Sequence, residues 1–226
     1  VDKDGRKMSK SLGNTIEVED LLKEYGADVC RWWVASLAYE NDIKVDKSYF
    51  AVAGESYRKV RNTLRFMLSN LEDLGSETAR QRDSETGKQR DRETVEPTSL
   101  DAWVLSTYDT LASGVIEAYT TYDFRAAQQA LYDFCNTTLS AVYLAAVKDR
   151  LYCDRADSPR RRRTQASLRD LTDGLCRLLA PILPHTADEA YRALHRAEAG
   201  DASCCVHALA FVERLGVVDV GAKLQG

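Results

Sequence analysis

Two lysines that bracket Met8 and Ser9, with Ser11 and then Gly13-Asn14 just beyond, are the part of this sequence best equipped for chemistry. The ammonium groups of Lys7 and Lys10 ride on flexible stems and can follow a phosphate chain as its charge redistributes. Serine hydroxyls add donors without bulk, and backbone amides beside a glycine can approach an anion closely. No apolar periodicity would bury the segment as a helix or strand, so an exposed loop is expected. ATP or pyrophosphate is the ligand that such a loop fits. The alternative is a solvated basic turn, and five residues alone do not decide between them.

A second candidate lies on the long helix predicted after Asp46. Tyr49, Ala53, Tyr57, Val60, Leu64, Met67 and Leu71 recur at steps of three and four and mark one buried stripe. Arg58, Arg61, Asn62 and Arg65 recur at the same steps beside it. Such a row is either a solvated face or a face that a polyanion completes. Too few acidic partners at i+4 leave it mildly self-repulsive, which gives the second option physical content.

The elements that position these residues read as helices throughout. Ile16, Leu21, Leu22 and Tyr25 form a short amphipathic helix that ends at Gly26, and Asp28 can cap the next one. That helix carries Trp32 and Trp33, which stand about 100° apart, so one faces the core and the other a neighbouring domain or a nucleic acid. Residues 76–96 are almost free of apolar side chains and read as a mobile polar insertion, closed by Pro97. Ser99 then caps a helix in which Trp103 is expected in the core. Asp123 caps a further helix with an apolar stripe of Ala127, Leu131, Phe134, Cys135, Val142 and Ala146.

Ser158-Pro159 opens a leucine-rich helix whose first turns hold Arg160, Arg161, Arg162 and Arg163. Cations there oppose the helix dipole, so the run is either a solvated patch or a contact for an anion. Pro181 and Pro184 redirect the chain, and Thr186 with Glu189 reads as a capping box. His185 and His195 flank this last helix as structural or surface groups, and residues 203–211 suit a short extended piece.

With 226 residues, 44% of them hydrophobic, the chain can bury a sizeable core. Its net charge of -4 excludes a surface that is basic all over, so any nucleic-acid contact needs a local basic face. The six cysteines contain no CxxC pair and suggest neither a zinc site nor a disulfide framework. They read mostly as small core residues in a reducing, cytoplasmic setting. Neither a signal peptide nor a membrane span is expected. The absence of an initiator methionine before a functional loop suggests an excised fragment.

The string Lys7-Met8-Ser9-Lys10-Ser11 resembles the KMSKS signature of class I aminoacyl-tRNA synthetases. Within that class the chain is most similar to isoleucyl-tRNA synthetases, through Gly26-Ala27-Asp28, residues 31–36 (RWWVAS), 57–66 (YRKVRNTLRF), 100–103 (LDAW), 148–152 (KDRLY) and 179–186 (LAPILPHT). Valyl-tRNA synthetase is the alternative enzyme, and a helical interaction module the alternative from another class. Thr138 and Ala145 depart from the pattern, since acidic residues are expected there, and the cysteine zinc module of many bacterial members is absent.

The resemblance implies an all-α fold, an antiparallel helical bundle preceded by the signature loop and a stem-contact segment. Residues 1–45 would be the loop and stem-contact segment, 46–199 the anticodon-binding domain with its insertion at about 76–98, and 200–226 a C-terminal extension. The family joins isoleucine to the α-phosphate of magnesium-bound ATP, releases pyrophosphate and passes the aminoacyl group to tRNA(Ile). Carried over, Lys10 would be the principal phosphate contact and Lys7 its assistant, with Met8, Ser9 and Ser11 shaping the ATP cradle. Trp33, Arg58, Arg61, Asn62, Arg65, Lys148 and Arg150 would meet tRNA. The resemblance also implies a monomer that works with catalytic and editing domains in cis, so that these 226 residues alone would be inactive.

Overall fold

The computed structural model describes residues 1–40, 42–74, 99–197, 201, 204–212 and 215. A single 3-10 turn, Lys10–Leu12, interrupts the N-terminal loop. Helices α1 (Val18–Tyr25), α2 (Ala27–Ala35), α3 (Lys47–Ser69), α4 (Leu100–Thr120), α5 (Phe124–Asp133), α6 (Leu144–Tyr152), α7 (Pro159–Leu179) and α8 (Pro184–His195) follow. Among the described residues there is no strand, so the all-α class is as expected. The polar insertion expected at 76–96 lies outside the described residues, as does most of the C-terminal extension. Residues 204–212 hold a 3-10 turn, Val206–Ala208, in place of the expected extended piece.

Local sequence sets several helix starts as anticipated. Asp46 accepts from the Ser48 amide at 2.9 Å, Ser99 from Ala102 at 3.1 Å, and Asp123 from Ala126 at 2.9 Å. Pro159 takes the first position of α7, where its missing N–H costs nothing. Two caps differ from expectation. Asp28 sits inside α2 and caps α8 instead, accepting from the Thr186 amide at 2.7 Å and the Thr186 hydroxyl at 2.6 Å. Thr186 therefore lies within α8 and makes no capping box, which leaves Glu189 free to turn outward.

The α5 rod runs without a break through a π-helical stretch, Phe134–Tyr143, into α6. Its most deeply buried residues, Ala127, Leu131, Cys135, Leu139, Tyr143, Val147 and Leu151, are spaced by four throughout. In a pure α-helix each such step overshoots a full turn by about 40°, and the wider π turns return the drift. The α-helical stripe expected at Val142 and Ala146 therefore misses. Val142 is 45% exposed and Ala146 is exposed too.

The core gathers the inner faces of α2 to α8. Gly174 of α7 is buried against α4 so closely that a Cβ there would overlap the Tyr108 ring. Trp32 is fully buried and donates to Ser56 Oγ at 2.9 Å. Cys135 and Cys176 are buried as expected, with burial pushing the Cys135 thiol up to about 12, whereas Cys153 is exposed. Trp103, expected inside, is 41% exposed beside Ser106, Thr107 and Thr137.

Candidate functional site

The lysine loop is held from beneath by two residues that the sequence did not single out for that role. Asp2 accepts from the Arg6 amide at 2.8 Å, from Arg6 Nε at 3.1 Å and from Asn14 Nδ2 at 3.0 Å. Asn14 Oδ1 in turn accepts from the Ser9 amide at 2.9 Å, so both ends of the loop meet on one amide–carboxylate clasp. Short Asx side chains favour such local backbone bonds, which was the signal available for finding them. The Asn14 amide and then the Arg6 backbone hold the Asp2 carboxyl down at about 2. The Val45 amide donates to Val1 O at 3.0 Å and ties the base of the loop to the approach of α3.

Above the clasp, Lys7, Lys10 and Ser11 are exposed, while Met8 and Ser9 are half-buried. The Ser9 and Ser11 hydroxyls lie 3.1 Å apart, and Gly13 closes the turn at φ +64°. The loop thus offers two exposed ammonium groups and a hydroxyl pair on a fixed base. Two positive charges with neutral donors fit the oxygens of a polyphosphate. Among the described residues no cluster of three or more His, Cys, Asp or Glu side chains could hold a metal ion.

The second cluster is on α3. Arg58 pairs with Glu55 one turn back, an exposed contact of small energetic value. Arg61 meets the Glu189 carboxylate through both terminal nitrogens, Nη2 to Oε1 at 3.0 Å and Nη1 to Oε2 at 2.9 Å. The Glu189 carboxylate and then the Tyr57 hydroxyl raise the Arg61 pKa further. Asn62 and Arg65 are exposed beside it, and no ion pair joins Arg65 to another described residue. A groove of about 830 Å3 runs between α3 and α8, with Leu64, Leu68, Ala190 and Leu194 among its apolar lining and Asn62 and Arg65 among its polar one.

Two of the remaining expected contacts face the protein and one faces solvent. Trp33 is half-buried against Phe50, ring centroids 4.4 Å apart, so its ring serves packing between α2 and α3. Arg150 turns inward to Asp101 at 3.0 Å, where Tyr143 Oη also donates at 2.7 Å. Burial and then the Asp101 carboxylate push the Tyr143 phenol well above its usual range, which keeps it a donor. Lys148 stays exposed on α6, apart from its inward neighbour.

Comparison with known proteins matches residues 101–215 to the anticodon-binding domain of tRNA ligase. The chain belongs to that family. Residues 1–46, which include the lysine loop, match class I tRNA synthetases of the I, L, M and V group. An isoleucine–tRNA ligase of Desulfotalea psychrophila is 42% identical over 86% of this chain and 20% of its own length. Isoleucine–tRNA ligases of Carboxydothermus hydrogenoformans and Desulforudis audaxviator are 42% and 43% identical over 85% and 84% of the chain, and 20% and 19% of their own. The chain thus spans about a fifth of the length of the curated relatives it matches. The fold is similar to a chain in the crystal structure of the Agrobacterium radiobacter K84 LeuRS-tRNA-LeuAMS ternary complex. That likeness has a TM-score of 0.57 at 22% identity, covering 99% of this chain and 24% of the other. No helix among the described residues is long and apolar enough to cross a membrane.

Proposed function

We propose that this chain is the portion of an isoleucine–tRNA ligase that supplies a phosphate-binding loop and an anticodon-reading bundle, working with catalytic and editing domains in cis as a monomer in the cytoplasm. The observation that carries the reading is the union, in one chain, of a clasped two-lysine loop within the class I match and an exposed guanidinium face packed on the anticodon-binding fold. Residues 1–45 form the loop and stem-contact segment, 46–199 the RNA-binding domain and 200–226 an extension.

In this reading ATP enters as its magnesium complex. The carboxylate oxygen of isoleucine bonds to the α-phosphorus, the bond from that phosphorus to the β-bridging oxygen breaks, and its electron pair leaves with pyrophosphate. Lys10 and Lys7 neutralise the charge that builds on the leaving group, with Ser9 and Ser11 as neutral donors. Met8 anchors the loop by packing. The tRNA surface centres on Arg61, Asn62 and Arg65, flanked by Arg58 and Lys148. Trp33 and Arg150 act from behind by holding α2 and α6 in place.

The test is binding of an unmodified tRNA(Ile) transcript across a salt series, with valine tRNA and an Arg61→Ala plus Arg65→Ala variant alongside. Expected are a falling log affinity with log salt, preference for tRNA(Ile), and weaker binding by the folded variant. A folded chain that binds tRNA no better than the variant at any salt overturns the proposal.

A further inference from the structure

The Arg61–Glu189 pair is unlike the other surface pairs of α3. It joins two helices 128 residues apart in sequence: Nη2 donates to Oε1 at 3.0 Å and Nη1 lies 2.9 Å from Oε2. Held at Nη2 by Glu189 and at Nη1 by Tyr57 Oη, the guanidinium is fixed in plane as well as in position. The fixed side chain has already lost its rotamer freedom, so less entropy is lost when a ligand settles on it. Its charge is compensated by Glu189, and a compensated cation gains little from a phosphate. The side chain is 44% exposed, which leaves surface for a ligand to cover.

The plane is braced from the buried side too. Arg61 Nη1 lies 3.4 Å from Tyr57 Oη, that hydroxyl is 2.8 Å from Thr186 Oγ1, and Thr186 Oγ1 donates to the buried Asp28 at 2.6 Å. Beside it opens the α3–α8 groove, with an apolar lining for the ring of a base, the Asn62 amide for its edge, and Arg65 for the adjoining phosphate. Unpaired bases stack on guanidinium planes and are read along their edges in such settings.

We propose that Glu189 is a positioning residue for base recognition: it holds Arg61 as a stacking plane at the mouth of the α3–α8 groove, which takes one unpaired RNA base. The inference rests on the tRNA-binding reading above and adds a division of labour to it. Arg65 supplies phosphate charge, Arg61 supplies shape, and Glu189 separates the two roles.

The experiment compares the chain with its Glu189→Gln and Glu189→Asp variants on a tRNA(Ile) transcript and on the same transcript with its anticodon replaced, over a salt series. Glu189 is exposed, so both variants keep the fold. Glu189→Gln releases a cation, and the slope of log affinity against log salt is expected to steepen by about 0.7 to 0.9, one phosphate's worth. Its preference for the natural anticodon should fall about tenfold, the scale of one base contact. Glu189→Asp keeps the charge but withdraws the fork, so it should lose preference with the slope unchanged. Slopes and preferences equal to the parent in both variants overturn the inference while leaving tRNA binding intact. Absence of binding by the parent overturns the broader reading, and this inference with it.

Discussion

Helices α3 and α7 are both arginine-rich, and they use their guanidinium groups in opposite ways. On α7 the middle of the N-terminal run, Arg161 and Arg162, is turned back on the protein, while Arg160 and Arg163 are exposed. Arg161 donates to Leu151 O at 2.6 Å, to Asp154 O at 3.2 Å and to Asp73 Oδ2 at 2.9 Å, and Arg162 donates to Asp73 O at 3.1 Å. These bonds satisfy carbonyls at and just beyond the end of α6 and pin the turn after α3, offsetting the unfavourable dipole. On α3, Arg58 and Arg61 pair only with exposed carboxylates and Arg65 reaches solvent. Two of the four adjacent arginines, Arg161 and Arg162, are thus scaffold, whereas a sparser row at helical spacing is surface. Spacing against neighbouring helix ends, and not charge density, separates the two.

Four experiments can break or sharpen this contrast. The largest effect is expected at the inward-facing Arg150. Its partner Asp101 is buried, so Asp101→Ala leaves a guanidinium unpaired beside Tyr143 and should cost about 3 kcal/mol or more by chemical denaturation. A loss below 1 kcal/mol would return Arg150 to the surface group. Next comes Arg161→Ala, expected to cost about 2 kcal/mol because charged bonds to Asp73 and two carbonyls vanish together. Its tRNA salt slope should match the parent, and a shallower slope would make α7 an RNA contact.

Arg65→Ala should be the mirror image, changing stability by no more than about 0.5 kcal/mol while making the slope shallower by about 0.7 to 0.9. The smallest effect concerns the Arg6 pair in the loop clasp. Asp2 titrates at about 2 when folded, below the ordinary carboxylate range, so its contribution is complete above about pH 4 and is lost as pH falls toward 2. Amide shifts of Arg6 and Ser9 followed from pH 5 downward should show their midpoint near 2. A midpoint near 4 would mean that the clasp does not form.

What was legible in the sequence was local. Asp46, Ser99, Asp123 and Pro159 mark helix starts because a cap acts within three residues of itself, and the stripe of α3 follows its own period. What escaped was decided by partners far along the chain. Asp28 reads as a cap for α2, yet the geometry of the Pro181 corner brings the α8 N-terminus to it from 158 residues away. Arg31 helps to fix that corner by donating to Pro181 O and Ile182 O. Trp103 is expected inward, but Val104 and Tyr108 fill the core and leave Trp103 outside. The basic face of α3 was visible as a pattern, whereas Glu189, which divides its roles, was hidden in a motif that suggested a cap.

The π-helical stretch also determines how the chain tolerates changes in length. Because Phe134–Tyr143 keeps the buried row in phase over seven four-residue positions, it acts as a phase adjuster between two rigid α-helical segments. Removing one residue there tightens a wide turn to an ordinary one and leaves the phase downstream nearly intact, whereas removing one at the start of α6 would rotate the rest of that helix by about 100°. Val147 and Leu151 would leave the core, and Arg150 would swing away from Asp101. Single-residue deletions are therefore tolerated at the turns and within the π-helical stretch, and not in the α-helical segment that follows it.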